Sequence, residues 1–208
     1  GGRSYNGAMK APKTGLLHAA LQAGQDDLKI VPMAVAYDFV LEDQVLAHQG
    51  VKRQQRPFAR ELAEMVRYGV GYRSRAFVTF GAPVPLGGYD PCSRREVMAL
   101  ASRIGDLIGK LHKVLPTALV SAAMRPSIEL AELTDRIDGL IEVLRSNNAN
   151  LAVSTGQQAL NEAIEPMIER GIVILDGTKC RVRERIVLRY YARSIQHLLS
   201  PRSDQATH

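Results

Sequence analysis

The hydrophobic pattern divides the chain into two stretches of different character. Leu16, Leu17, Ala20 and Leu21 recur at helical spacing, and Gly24 stands where a helix C-terminus favours a left-handed residue, so a short helix is expected there. The run Lys29-Ile30-Val31-Pro32-Met33-Ala34-Val35-Ala36-Tyr37-Asp38 is apolar, β-rich and of strand length. It reads as a fully buried central strand, with Pro32 early in it, where a missing ladder donor does least harm. Residues 56–69 set Phe58, Leu62, Met65 and Val66 on one helical face against Arg60, Glu61, Glu64 and Arg67 on the other. Ala76-Phe77-Val78-Thr79-Phe80-Gly81 predicts a second strand, ended by Pro83 and Pro85. A strand, a helix and a strand joined by a connection long enough to cross over predict a parallel pair.

From Ser93 onward helical periodicity dominates. Helices are expected over residues 93–114, 117–124, 127–146 and 156–170. Two short strands, at 171–175 and 180–182, flank an Asp176-Gly177 turn. A last helix carries Ile186, Val187, Tyr190, Tyr191, Ile195 and Leu198 at core spacing. The change of character places a boundary near residue 92. The expected fold class is α/β, with a sheet-and-helix domain over residues 1–91 and a mainly helical domain over 92–208.

Composition narrows this only slightly. The 208 residues are 46% hydrophobic and 23% charged, which belongs to a folded globular chain and excludes the low-hydrophobicity regime of disorder. A net charge of +6 favours anionic partners: nucleic acid, a phospholipid surface or a phosphorylated small molecule. That charge is spread over both halves, so its sign does not choose among them. Cys92 and Cys180 lie far apart without a CxxC spacing, which suggests neither a zinc site nor a disulfide framework and fits two idle thiols in a reducing compartment. No run reaches the roughly 18 apolar residues of a membrane span.

The chemistry is concentrated at the start. Gly1-Gly2-Arg3-Ser4, Gly7 and Pro12-Lys13-Thr14-Gly15 bring together flexible backbone N–H groups, a guanidinium, an ammonium and hydroxyls just ahead of a helix. Glycine lets backbone approach an anion closely, arginine grips phosphate oxygens two at a time, and a helix N-terminus adds favourable partial charge. The set reads as a phosphate cradle, against the plainer alternative of a solvated surface loop. His18 and His112 read as packed or solvated, and Lys52, Arg53 and Arg56 as a solvated basic face that could touch lipid headgroups or an acidic carrier.

Four blocks together carry a resemblance. Gly1-Gly2-Arg3-Ser4, Pro12-Lys13-Thr14-Gly15-Leu16-Leu17, Ile30-Val31-Pro32-Met33-Ala34-Val35-Ala36-Tyr37-Asp38 and Thr79-Phe80-Gly81-Ala82-Pro83-Val84-Pro85-Leu86 resemble, in order and spacing, the later blocks of glycerol-3-phosphate and dihydroxyacetone-phosphate acyltransferases. The resemblance covers residues 1–91; beyond them, Arg189-Tyr190-Tyr191 through His197 is more loosely similar to the C-terminal region of the bacterial enzyme.

It implies that Arg3 binds the acceptor's phosphate, with Gly1, Gly2 and Ser4 shaping the loop, Lys13 as a second cation and Pro32 in a block that closes the site. Tyr5 stands where many members carry a second arginine. The implied reaction moves an acyl chain from acyl-CoA or acyl carrier protein to glycerol 3-phosphate in phospholipid biosynthesis, with no cofactor and no metal, on the cytoplasmic face of a membrane to which the protein is peripherally bound. Lysophosphatidate and dihydroxyacetone phosphate are alternative acceptors.

The family's catalytic block is His-x4-Asp, and none of His18, His48, His112, His197 or His208 is followed five places later by Asp. With no Met at its start, the chain is expected to be a piece of a longer protein, with that block upstream and no catalytic residue of its own. Loss of upstream strands is expected to leave the sheet face around Ile30 to Ala36 uncovered.

A reading from another class comes from the second half. The helices expected over 127–146 and 156–170, the two-strand ribbon and the basic residues Lys179, Arg181, Arg183 and Arg185 fit a winged helix that binds DNA. Val182 and Glu184 alternate with those cations as in any edge strand, so no nucleic acid partner is expected.

Overall fold

The computed structural model describes residues 7–24, 27–40 and 74–199. The chain is mixed α/β, with several small sheets. The first helix, α1 (Gly15–Gln22), buries Leu17 and Leu21 and ends as expected, with Gly24 left-handed at φ +62°. Leu16, at helical spacing from the others, is turned outward and is 89% exposed.

The long apolar run becomes two strands, β1 (Lys29–Ile30) and β2 (Met33–Tyr37), because Pro32 interrupts the ladder between them. β1 pairs with β4 (Val84–Pro85), and β2 pairs with β3 (Ala76–Phe80) from Met33↔Phe80 to Tyr37↔Ala76. Both pairs are antiparallel, so the expected parallel pairing is wrong. A long connection is necessary for a parallel crossover but does not forbid a return to the same end of the sheet, and here Tyr37 and Ala76 are direct partners. Nor is β2 a fully buried central strand. Ala34 and Ala36 are buried, while Met33 and Tyr37 of β2 and Val78 and Phe80 of β3 face outward, 46% to 66% exposed. The run was continuous in hydrophobicity, but its small side chains sit on one face and its large ones on the other. The amphipathic stretch 56–69 and the basic cluster Lys52, Arg53 and Arg56 lie outside the described residues.

Helix α2 (Arg94–Leu111) is capped by Ser93, whose hydroxyl accepts the Glu96 N–H, and the Glu96 carboxylate accepts the Asp90 N–H in return. Val97, Leu100 and Ala101 pack with Leu17, Leu21, Val84 and Leu86 in one core. α2 thus follows residue 92 in sequence yet packs with the elements before it.

A second, larger core surrounds α3 (Pro116–Ala123), a helix buried on every side and started by proline at its first position, where the missing N–H costs nothing. Around it lie α4 (Leu130–Ser146), α5 (Gly156–Glu169), α6 (Arg185–Arg193) and α7 (Gln196–Leu199). The stretch expected as one helix from residue 127 opens instead as β6 (Ser127–Glu129), because it pairs with β9 (Lys179–Val182), which also pairs with β8 (Val173–Asp176). The Gly177-Thr178 turn closes the β8–β9 ribbon, with Gly177 at φ +60°. Helix, strand, helix, helix and ribbon, with sheet order β6-β9-β8, is the topology of a winged helix. A short parallel pair, β5 (Lys113–Val114) with β7 (Asn150–Leu151), has no counterpart in the sequence pattern.

Candidate functional site

Gly1, Gly2, Arg3 and Ser4 lie outside the described residues. What the structure does place is the rest of the set. Lys13, in the Pro-Lys-Thr-Gly element leading into α1, stands in the wall of a cavity of about 560 Å³ between α1, the start of β2 and α2. Leu17 of the same element lines it, as do Ile30, Met33 and Val35 of the next block, with the exposed Leu16 at its open side, so two of the resembling blocks meet in one wall. Pro32 is buried beside this cavity rather than in its wall. Its carbonyl accepts the Gly81 N–H at 2.8 Å, which docks the Val-Pro block onto the Thr-Phe-Gly-Ala-Pro block.

The far wall comes from α2 and was not anticipated. Ala101, Ile104, Gly105 and Ile108 repeat at helical spacing and present a mostly aliphatic stripe to the space. The signal was present in the sequence as small and branched residues three and four apart, but nothing in it said that α1 and β2 would stand opposite. Among the described residues in the wall, Lys10, Lys13 and His112 are the only titratable ones, and there is no carboxylate. A volume within the roughly 300–1,000 Å³ of ligand pockets, an apolar lining and two ammonium groups on one loop suit an amphiphile with an anionic head.

A second cluster joins the two cores. Asp38, at the end of the Val-Pro block, accepts the Arg75 Nε–H at 2.6 Å, and Arg75 also reaches Glu162 of α5 at 3.3 Å. The hydrogen bond to Asp38, then its charge, holds the Arg75 guanidinium above its ordinary value. Phe39 meets Tyr191 edge-on at 5.9 Å and lies under the Arg170 guanidinium at 5.3 Å. These groups hold the end of the Val-Pro block against α5 and α6; they offer no nucleophile or base arranged for transfer.

No protein-family model matches the chain. The histidines therefore rest on geometry alone. His18 lies on α1, half-buried. His112 caps α2 and meets His197 of α7 with ring centroids 5.9 Å apart, and the His197 Nε2 lies 3.2 Å from the Gly109 carbonyl oxygen. Cys180 is buried in the second core, where desolvation pushes its thiol up to about 11, and Cys92 is exposed. Among the described residues no group of three His, Cys, Asp or Glu side chains could hold a metal, and no helix is long and apolar enough to cross a membrane.

Proposed function

We propose that this chain is the acceptor-binding and acyl-chain-binding part of a glycerol-3-phosphate acyltransferase, acting peripherally on the cytoplasmic face of a membrane. In the reaction the 1-hydroxyl of glycerol 3-phosphate attacks the thioester carbonyl of acyl-CoA or acyl carrier protein. The C–S bond breaks, and the thiol leaves with the proton taken from the hydroxyl. The base that moves this proton is the His of a His-x4-Asp block, which this sequence does not contain. Arg3 fixes the acceptor phosphate in this account, with Gly1, Gly2 and Ser4 around it and Lys13 as the second cation.

The observation that carries the reading is the cavity. Its lysines precede α1, where the resemblance puts phosphate binding, and its body is an aliphatic space continuous with that loop. An acyl thioester needs both at once. The test is binding without turnover: the purified chain should bind glycerol 3-phosphate and a palmitoyl thioester in separate titrations and transfer nothing between them. Turnover at the rate of an intact acyltransferase, or failure to bind either ligand, would contradict it.

The winged-helix topology of the second core is the structural observation that favours DNA binding. Charge opposes it. Helix α5, which would enter the groove, shows solvent Gln157, Gln158, Asn161, Glu162, Glu165 and Glu169 and has no lysine or arginine. On the ribbon, Lys179 lies 3.5 Å from Glu129 and Arg181 lies 2.9 Å from Asp176, so both cations are partnered within the domain. A DNA-binding surface must neutralise phosphates with free cations, and its affinity falls steeply with salt. Tight, salt-dependent binding of duplex DNA by the chain would favour this second reading over the first.

A further inference from the structure

We infer that Gly105 of α2 is the gauge that sets how long an alkyl chain the cavity accepts. The inference rests on the acyltransferase reading for the identity of the chain's carrier; the gauge itself rests on the cavity.

The wall contains no phenylalanine, tyrosine, tryptophan or carboxylate among its described residues, and its polar side chains there are Lys10, Lys13 and His112. A flat ring system or a ligand rich in hydrogen-bond donors would find only one partner of its kind, the His112 imidazole, in an otherwise aliphatic wall. Leu17, Ile30, Ile104 and Ile108 offer branched aliphatic surface, and Lys10 and Lys13 offer positive charge on one loop. A flexible saturated chain ending in an anionic group satisfies each of these features.

Within that wall Gly105 is the exceptional position. It lies in the interior of an 18-residue helix, where glycine is disfavoured relative to alanine because it gives up more backbone freedom on folding. Its φ is not in the left-handed region, so backbone geometry does not require glycine. Packing does not require it either, since a Cβ built there would meet nothing within 4 Å. At Gly81, by contrast, an added Cβ would press on Leu111, and at Gly109 on His197 and Met9. Gly139 in α4 is equally undemanded but does not line this cavity; at position 105 the missing side chain leaves space in the cavity wall. A longer side chain at position 105 takes up part of the volume that an alkyl chain would fill, and its Cβ meets no neighbour within 4 Å.

The experiment is a titration of the chain and of Gly105→Leu with saturated fatty acids of ten, twelve, fourteen and sixteen carbons, using palmitoyl-CoA as the phosphate-bearing arm. Each buried methylene contributes about a fourfold gain in affinity. The unaltered chain should therefore show affinity climbing over the series. In Gly105→Leu the climb should stop early, with palmitate weakened about tenfold or more and decanoate changed less than about twofold. Gly105→Ala, which adds a single methyl, should fall between them and gain thermal stability, showing that the helix tolerates a side chain. Equal loss at every length, an unchanged series in Gly105→Leu, or no fatty acid binding by the unaltered chain would overturn the gauge. Fatty acid binding with the expected cutoff, but none of glycerol 3-phosphate or palmitoyl-CoA, would leave the gauge standing and remove the acyltransferase reading.

Discussion

The Tyr191 hydroxyl on α6 accepts the backbone N–H of Val40 at 3.0 Å, tying the end of the Val-Pro block to the last long helix of the chain. The same ring packs edge-on against Phe39 and Tyr190. The second core is in this way the support on which the proposed substrate-binding strand ends.

Tyr191→Phe should keep both ring contacts and lose only the hydroxyl. A hydrogen bond of this kind contributes about 1 kcal/mol, and leaving a partly buried N–H unpaired adds a similar amount, so the variant should be less stable by about 1 to 2 kcal/mol in urea unfolding. An unchanged midpoint would mean that water replaces the hydroxyl and that the tie is weak.

Gly7 faces the backbone of Tyr190 from the other side. It has φ +85°, a conformation that side-chain-bearing residues rarely adopt, and a Cβ there would collide with the Tyr190 carbonyl. Gly7→Ala should lower stability by about 2 kcal/mol or more, since the left-handed backbone alone costs about 1 to 2. Gly15→Ala is the control: position 15 has open space and begins a helix, so thermal unfolding should be unchanged or shifted upward. Equal effects of the two substitutions would remove the claimed contact.

Cys180 makes stability depend on pH above neutrality. Burial raises its thiol from 9.0 to about 11, so between those values the unfolded chain has lost a proton that the folded chain still holds. Stability is therefore full below about pH 9 and falls as pH rises towards 11, by roughly 2 to 3 kcal/mol over the window. Lysines and tyrosines titrate in the same range, so the informative quantity is the difference from Cys180→Ala, whose profile should be flatter by that amount. Parallel profiles for the two proteins would show that the thiol is not desolvated in the folded state.

Local pattern was legible and spatial arrangement was not. The end of α1, a helix within one residue of the expected 117–124 and the β8–β9 ribbon followed from periodicity, from Gly24 and from the Asp176-Gly177 turn, each of which acts within a few residues of itself. The direction of the β2–β3 pair did not follow, because the length of a connection permits either sense. Leu16 had core spacing and is exposed, since periodicity marks a face without saying which part of it finds a partner. Of the expected site residues, Lys13 could be placed at a ligand-sized cavity and Pro32 beside it, while Gly1, Gly2, Arg3 and Ser4 lie outside the described residues. The periodicity of α2 did not identify it as a wall for a simpler reason. A cavity belongs to three stretches at once, and Ala101, Ile104, Gly105 and Ile108 become a wall only when α1 and β2 stand opposite.

The proposed binding of the acceptor phosphate by Arg3 is tested most directly by calorimetric titration of the chain with glycerol 3-phosphate. A guanidinium grips two phosphate oxygens at once where an ammonium offers a point charge, so Arg3→Lys should weaken binding although the charge is kept. Hydrogen bonds to charged groups contribute roughly 1.5 to 3 kcal/mol, so Arg3→Ala should raise the Kd by about 10- to 150-fold. The affinity for palmitate should stay within twofold in both variants. Glycerol 3-phosphate affinities within twofold of the unaltered chain in both variants, or a loss that falls on palmitate instead, would contradict the account.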